Sequence, residues 1–290
     1  MTGRAQTTAI VFVVVGLACQ EVGASLAVLL FPEVGPLGMV MLRLVFSAVV
    51  LLLIARPKLT GHARADWTAV LWFGVVLAVM NGLFYLALER LPLGVTVTIE
   101  VLGPLVLSIV ASRRASAWLW ALLAFAGVLA LGSGGWDRLD PLGVLFALGA
   151  AASWAFYILA SAKVGQAFPK LDGLALAMAV GAIIALPFGI VDAGPALMRP
   201  ELIAMGAAVA MLSSTIPYAL ELVALRRLPA AVFAILMASS PATATLAGFV
   251  LLGQHLTWLE LLGIALVVVA SIGAVRSSNR AARETAEPLA

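Results

Sequence analysis

LFYLALERLPLGVTVTIEVLGPL, residues 83–105, aligns without a gap on LELVALRRLPAAVFAILMASSPA, residues 220–242. Leu91-Pro92 falls on Leu228-Pro229, Pro104 falls on Pro241, and the apolar pattern runs in step between them. The charges do not match: Glu89-Arg90 in the first copy becomes Arg226-Arg227 in the second. Two copies of one apolar element, with opposite charge character at the same turn, are the observation from which the rest of the chain is read.

Outward from these segments, apolar stretches of about 20 residues recur along almost the whole length, each enough to cross a hydrocarbon core of roughly 30 Å as a helix. Ten are predicted, at 8–30, 36–55, 67–88, 93–111, 118–135, 140–162, 173–192, 200–224, 230–252 and 257–275. The 290 residues are 63% hydrophobic and 11% charged, against roughly 25% charged in a soluble domain, which excludes a water-soluble fold. Barrel strands would be shorter and would alternate, so the spans are helices and the bilayer is their partner. The first span is too long for a signal-peptide core and no small-residue cleavage site follows it, so it is expected to stay in the mature protein. Cys19, the single cysteine, gives neither an intramolecular disulfide nor a metal-site spacing and reads as a small core residue.

With the N-terminus placed inside, 13 of the 17 Lys and Arg residues fall on that side. Arg90, Arg138 and Arg199 fall outside, and Arg43 is embedded. This is the positive-inside bias of a chain with both termini cytoplasmic. The net charge of +3 is therefore a topology signal carried by loops, with no nucleic-acid partner implied. Five spans per half is an odd number, so the second copy must sit upside down. The expected organisation is a first repeat at 1–137, an inverted second repeat at 138–275, and a short polar tail at 276–290 without ordered structure. Inverted repeats of this kind are the organisation of many secondary transporters.

Several stretches together carry a family resemblance: GASLAVLLFPEVG (23–35), LRL (42–44), MNGLFYLALERLPLG (80–94), GPL (103–105), SRR (112–114), ALGAAASWAFYILAS (147–161) and PYALELVALRRLP (217–229). In this order they resemble the drug/metabolite transporter superfamily, ten-helix proteins of two EamA-type repeats, and within it the threonine and homoserine exporter branch. The resemblance implies a bacterial inner-membrane exporter of small neutral amino acids, driven by an ion gradient and needing no cofactor. Two positions depart from the branch: Glu21 follows Gln20 where a small residue is usual, and Ser240 precedes Pro241 where an acidic residue is frequent.

Ionisable side chains inside spans are costly and mark substrate or ion pathways. Apart from span ends they are Glu21, Arg43, Glu100 and Glu221. Glu100 lies four residues before Pro104, which has no N–H to return to its carbonyl; Pro241 frees the carbonyl of Met237 in the same way. Paired helix breaks at Pro104 and Pro241 point to a central transport site. Asn81 and Tyr85 share one helical face, as do Ser214, Tyr218 and Glu221, while Trp154 and Tyr157 lie about a turn apart. Gln20, Arg43, Asn81, Tyr85, Glu100, Trp154, Tyr157, Tyr218 and Glu221 are thus the candidate substrate-binding residues. Glu100 and Glu21 are the candidate proton-coupling residues of an antiporter. Trp154 and Tyr157 could equally pack or anchor, Asn81 could bond a neighbouring helix, and Glu221 could pair with Arg226 or Arg227. Arg43 is too deep to reach water easily, and Glu21 on the adjacent span is its expected partner by chain order.

His62 and His255 stand outside any helical metal motif such as HExxH, and no P-loop occurs, so neither a metallohydrolase nor an ATP-driven pump is indicated. An exporter of another metabolite or drug, and a non-transporting receptor or channel, stay open at this level.

Overall fold

The computed structural model describes the backbone of residues 3–112, 115–132, 139–225, 228 and 230–286. The side chains of residues 3–6, 108, 111–112, 115–117, 132, 219, 221–223, 225, 230, 231, 234 and 277–286 lie outside the description. Arg113, Arg114, Trp136, Arg138, Arg226 and Arg227, whose charges or rings entered the sequence reading, are also outside it.

The described chain is almost entirely helical. Its helices are α1 (Gly3–Val34), α2 (Pro36–Ala55), α3 (Arg64–Leu88), α4 (Leu93–Glu100), α5 (Leu102–Ser112), α6 (Ala115–Gly132) and α7 (Pro141–Ala167). They continue with α8 (Asp172–Ala193), α9 (Pro200–Ala210), α10 (Ile216–Leu225), α11 (Ala230–Met237), α12 (Ser240–Leu252) and α13 (Trp258–Ala286). Eight helical stretches among the described residues are long and apolar enough to cross a membrane. Two more of the predicted segments contain shorter apolar helices, Leu93–Leu107 and Trp118–Leu131.

Local chemistry sets the ends. Pro36, Pro141 and Pro200 open α2, α7 and α9, where a missing N–H costs nothing. Asp140 caps α7 by accepting from Leu142 N and Gly143 N, satisfying donors a helix start otherwise leaves orphaned. Gly253, at φ +62, closes α12. Two predicted spans are interrupted where proline withholds a hydrogen bond: α4 gives way to α5 at Val101, before Pro104, and α11 ends at Met237, before Pro241. Between α9 and α10, residues Met211–Thr215 form a π-helical turn, with Ile216 N donating to Met211 O.

One expectation is corrected. The chain after Val275 is helical to Ala286 as a continuation of α13. Its Ala, Arg and Glu residues are good helix formers, and extending an existing helix avoids the cost of nucleation.

In packing, α2 lies along α8, α3 along α7 and α8, α6 along α13, α4 along α12, and α1 along the stretch from α9 through α10. The largest buried cluster among the described residues joins α1, α2, α3, α4, α8, α9 and α12. Small residues permit the closest approaches, as in other membrane bundles. A Cβ added at Gly23 would lie 2.8 Å from Ser213 N, so only glycine lets α1 rest on the π-helical turn. Gly94 plays the same part where α4 meets Thr245 of α12.

Candidate functional site

Arg43, from the middle of α2, is 7% exposed and points at the π-helical turn. Its Nε donates to Ser214 Oγ at 2.8 Å, Nη2 to Ser213 O at 2.9 Å, and Nη1 to Tyr85 Oη at 3.4 Å. The guanidinium also lies 5.5 Å from the centre of the Tyr85 ring, within cation–π range. The Ser213 carbonyl is available for a stated reason: Pro217, four residues on, has no N–H to give it. A guanidinium carries five N–H donors. Three are engaged here, which leaves one N–H on each terminal nitrogen without a partner among the described residues. That is the donor set for a carboxylate fork.

Glu21, from α1, is 1% exposed. Its Oε1 accepts from Ser240 Oγ at 3.0 Å, and its backbone carbonyl accepts from Ser25 Oγ at 2.9 Å. Glu21 and Arg43 form no ion pair within 4.0 Å; the ion pairs among the described residues are all elsewhere. The pairing expected from chain order is therefore not the arrangement here. Serine groups on α12 and the π-helical turn stand where direct partners were expected. Glu100, at the end of α4, lies within electrostatic reach of both Glu21 and Arg43, and its carboxyl accepts no hydrogen bond among the described residues. The three ionisable groups thus share one centre, built from α1, α2 and the break after α4.

The other candidates divide. Tyr85 is fully buried and joins Arg43 directly. Tyr218 on α10 lies within electrostatic reach of Arg43. Tyr157 packs on Phe73, ring centroids 5.2 Å apart, and with Tyr218 lines a cavity of about 200 Å³. Asn81 Nδ2 donates to Leu77 O of its own helix at 2.8 Å. Gln20 and Trp154 are half-buried and make no hydrogen bond among the described residues. The Glu221 side chain is outside the description. Pro104 and Pro241 sit just past the two helix breaks. Ser213 and Ser240 were missed as site residues, although SST at 213–215 is a polar run inside an apolar span.

The opposite end of this bundle from Lys170 is fastened by polar side chains. Asp192 Oδ2 accepts from Leu37 N at 2.8 Å and Gly38 N at 3.1 Å. Arg199 bonds Glu33 and, at 2.8 Å, Glu201. Arg90 Nη1 reaches Asp140 Oδ2 at 2.9 Å, and Leu93 N donates to Gln254 Oε1 at 3.0 Å. The Arg90 guanidinium, with the α7 cap bonds, holds the Asp140 carboxyl below the usual carboxylate range. Among the described residues no group of three or more His, Cys, Asp or Glu could hold a metal ion.

Comparison with known proteins places this geometry in a family. The model of the EamA-like transporter family matches residues 141–276. The threonine/homoserine exporter RhtA of Escherichia coli K12 is 39% identical over 266 residues, covering 91% of this chain and 90% of the relative. The exporter of the same name from Salmonella typhimurium LT2 is 37% identical over 273 residues, covering 93% and 92%. A crystal structure at 18% identity superposes with a TM-score of 0.60 over 93% of this chain and 98% of the other, a likeness of fold. With that identity sustained over nine-tenths of both chains, this multi-helix membrane protein belongs to the EamA-like transporter family, in its RhtA-like branch.

Proposed function

We propose that the protein is a secondary-active exporter of small amino acids of the threonine and homoserine kind, lying in the bacterial inner membrane with both termini cytoplasmic. Arg43 carries the reading. A buried guanidinium held on three sides, with two N–H groups to spare, is shaped for the carboxylate of an amino acid. Glu100 and Glu21, coupled electrostatically to one another across the same centre, serve as the substrate-amine and proton sites of an exchange.

Ten spans in two inverted repeats, 1–137 and 138–275, supply the alternating access. The packing supports this reading. Exchanging each span for its counterpart five further on maps α2 with α8, α6 with α13 and α4 with α12 onto themselves, and maps α1 against α9–α10 onto α7 against α3. The links at Glu33–Arg199 and Asp192–Leu37 join the two repeats at the end that the positive-inside bias makes external.

Proteoliposomes loaded with labelled threonine or homoserine test the reading. With membrane voltage clamped, efflux is expected to accelerate when the outside is made acidic and to drive proton movement the other way. Substrate retention by the loaded liposomes would refute the exporter. Efflux indifferent to the pH step would refute the proton coupling alone.

A further inference from the structure

We infer that the cavity between α3, α7, α8 and α10 is an antechamber subsite, in which Lys170 receives the carboxylate of a small zwitterion before Arg43 does. This rests on the exporter reading above. The cavity, about 200 Å³, is lined by Phe73, Tyr157, Ser161, Phe168, Lys170 and Tyr218 among others. It is smaller than the roughly 300–1,000 Å³ of sites that take drug-sized ligands, and so fits a small metabolite. Among the described residues Lys170 is the one charged residue of the lining, set at its exposed rim. Tyr218 forms another part of the wall and lies within electrostatic reach of Arg43. The cavity therefore has a cation at its rim and, in its wall, a phenol that is coupled to Arg43 beyond it.

The rim is a built structure. Phe168 is buried, with its ring stacked on His62 at 4.2 Å and edge-to-face with Trp67 at 6.2 Å. Lys170 is held at φ +50, a left-handed backbone that glycine or asparagine adopts more readily than lysine. Backbone kept in a sparsely populated region is a pointer to function when the side chain has something to do there. Here the side chain supplies the cavity's cation. The aromatic walls accommodate the apolar body of a small amino acid, beside Ser161, whose hydroxyl donates to Ile158 O of its own helix. On the proposed topology this rim is cytoplasmic, where an export substrate is captured.

The test is the apparent KM for threonine, measured from the Lys170 side in oriented proteoliposomes, for wild type, Lys170→Asn and Lys170→Arg. Asparagine tolerates the left-handed backbone, so charge is removed without added strain. Lys170→Asn is expected to raise KM roughly 2- to 5-fold, the size of a part-exposed charge contact, with the saturated rate unchanged. Lys170→Arg is expected to restore KM, and raised salt to narrow the difference between wild type and Lys170→Asn. A wild-type KM in Lys170→Asn overturns the subsite while leaving the exporter intact. Absence of wild-type transport sinks the exporter reading instead. Labelled threonine binding to the purified full chain then decides the subsite by itself: dependence on Lys170 supports it, and equal binding by Lys170→Asn overturns it.

Discussion

Ser240 Oγ donates to Glu21 Oε1 across 3.0 Å, joining the first helix to the start of α12 just before Pro241. The family resemblance leads to a small residue at 21 and an acidic one at 240, and here the two side chains are contacts of each other. Removing the donor tests the link. Ser240→Ala is expected to lower stability by about 1–3 kcal/mol, the cost of an unsatisfied buried acceptor. Glu21→Ala on top of it is expected to cost less than it does in the wild type. Thermal unfolding of the four proteins of that cycle checks the pair, and strict additivity would mean the bond contributes nothing.

Pro217 is expected to matter through Ser213. Pro217→Ala returns an N–H to the carbonyl that Arg43 Nη2 now uses, setting up a competition between helix and guanidinium. Helix stability is expected to rise or hold while the affinity for threonine falls. Calorimetric binding and thermal unfolding, measured on the same variant, separate the two effects.

Glu100→Gln is expected to insert and fold as the wild type does, because its carboxyl accepts no hydrogen bond among the described residues and an amide of the same shape replaces it. Transport against a gradient is expected to fail. Normal proton-driven efflux in this variant would remove Glu100 from the coupling.

The Arg90–Asp140 contact yields a pH dependence with a definite sign. The folded carboxyl titrates below its unfolded value, near 3.9. Its stabilisation is therefore present above that value and is lost as the pH falls through the lower, folded one. The gap in unfolding temperature between wild type and Asp140→Asn is expected to be open at pH 7 and to close in acid. A gap that widens on acidification would contradict the assignment.

What the sequence made legible was mostly electrostatic. Arg43, Glu100 and Glu21 stand out because charge inside an apolar run is expensive, and Pro104 and Pro241 because a missing N–H ends a helix at a countable distance. The same proline rule applied to Pro217 finds the Ser213 carbonyl, a step the reading of paired prolines passed over. The partners were hidden for a different reason. Glu21 and Arg43 sit on consecutive helices, so chain order made them a pair, yet Ser240 reaches Glu21 from 219 residues away. Ser213 joins the site through its backbone carbonyl while its side chain bonds Val209 O, and a reading of side-chain faces does not find a carbonyl. Asn81 shows the converse: a polar residue in a span that is satisfied by its own helix.

The central claim is that Arg43 grips the carboxylate of the exported amino acid. The most direct measurement is counterflow of labelled threonine in proteoliposomes carrying wild type, Arg43→Lys or Arg43→Gln, each first shown to be folded and monodisperse in detergent. Wild type is expected to exchange, and threoninamide, lacking the carboxylate, not to compete. Arg43→Gln is expected to lose at least about 30-fold in transport, matching the loss of ~2 kcal/mol or more for a buried charge contact. Arg43→Lys is expected to recover little of it, because an ammonium lacks the planar fork. Folded Arg43→Gln protein exchanging threonine at the wild-type rate, or threoninamide competing as well as threonine, would contradict the account.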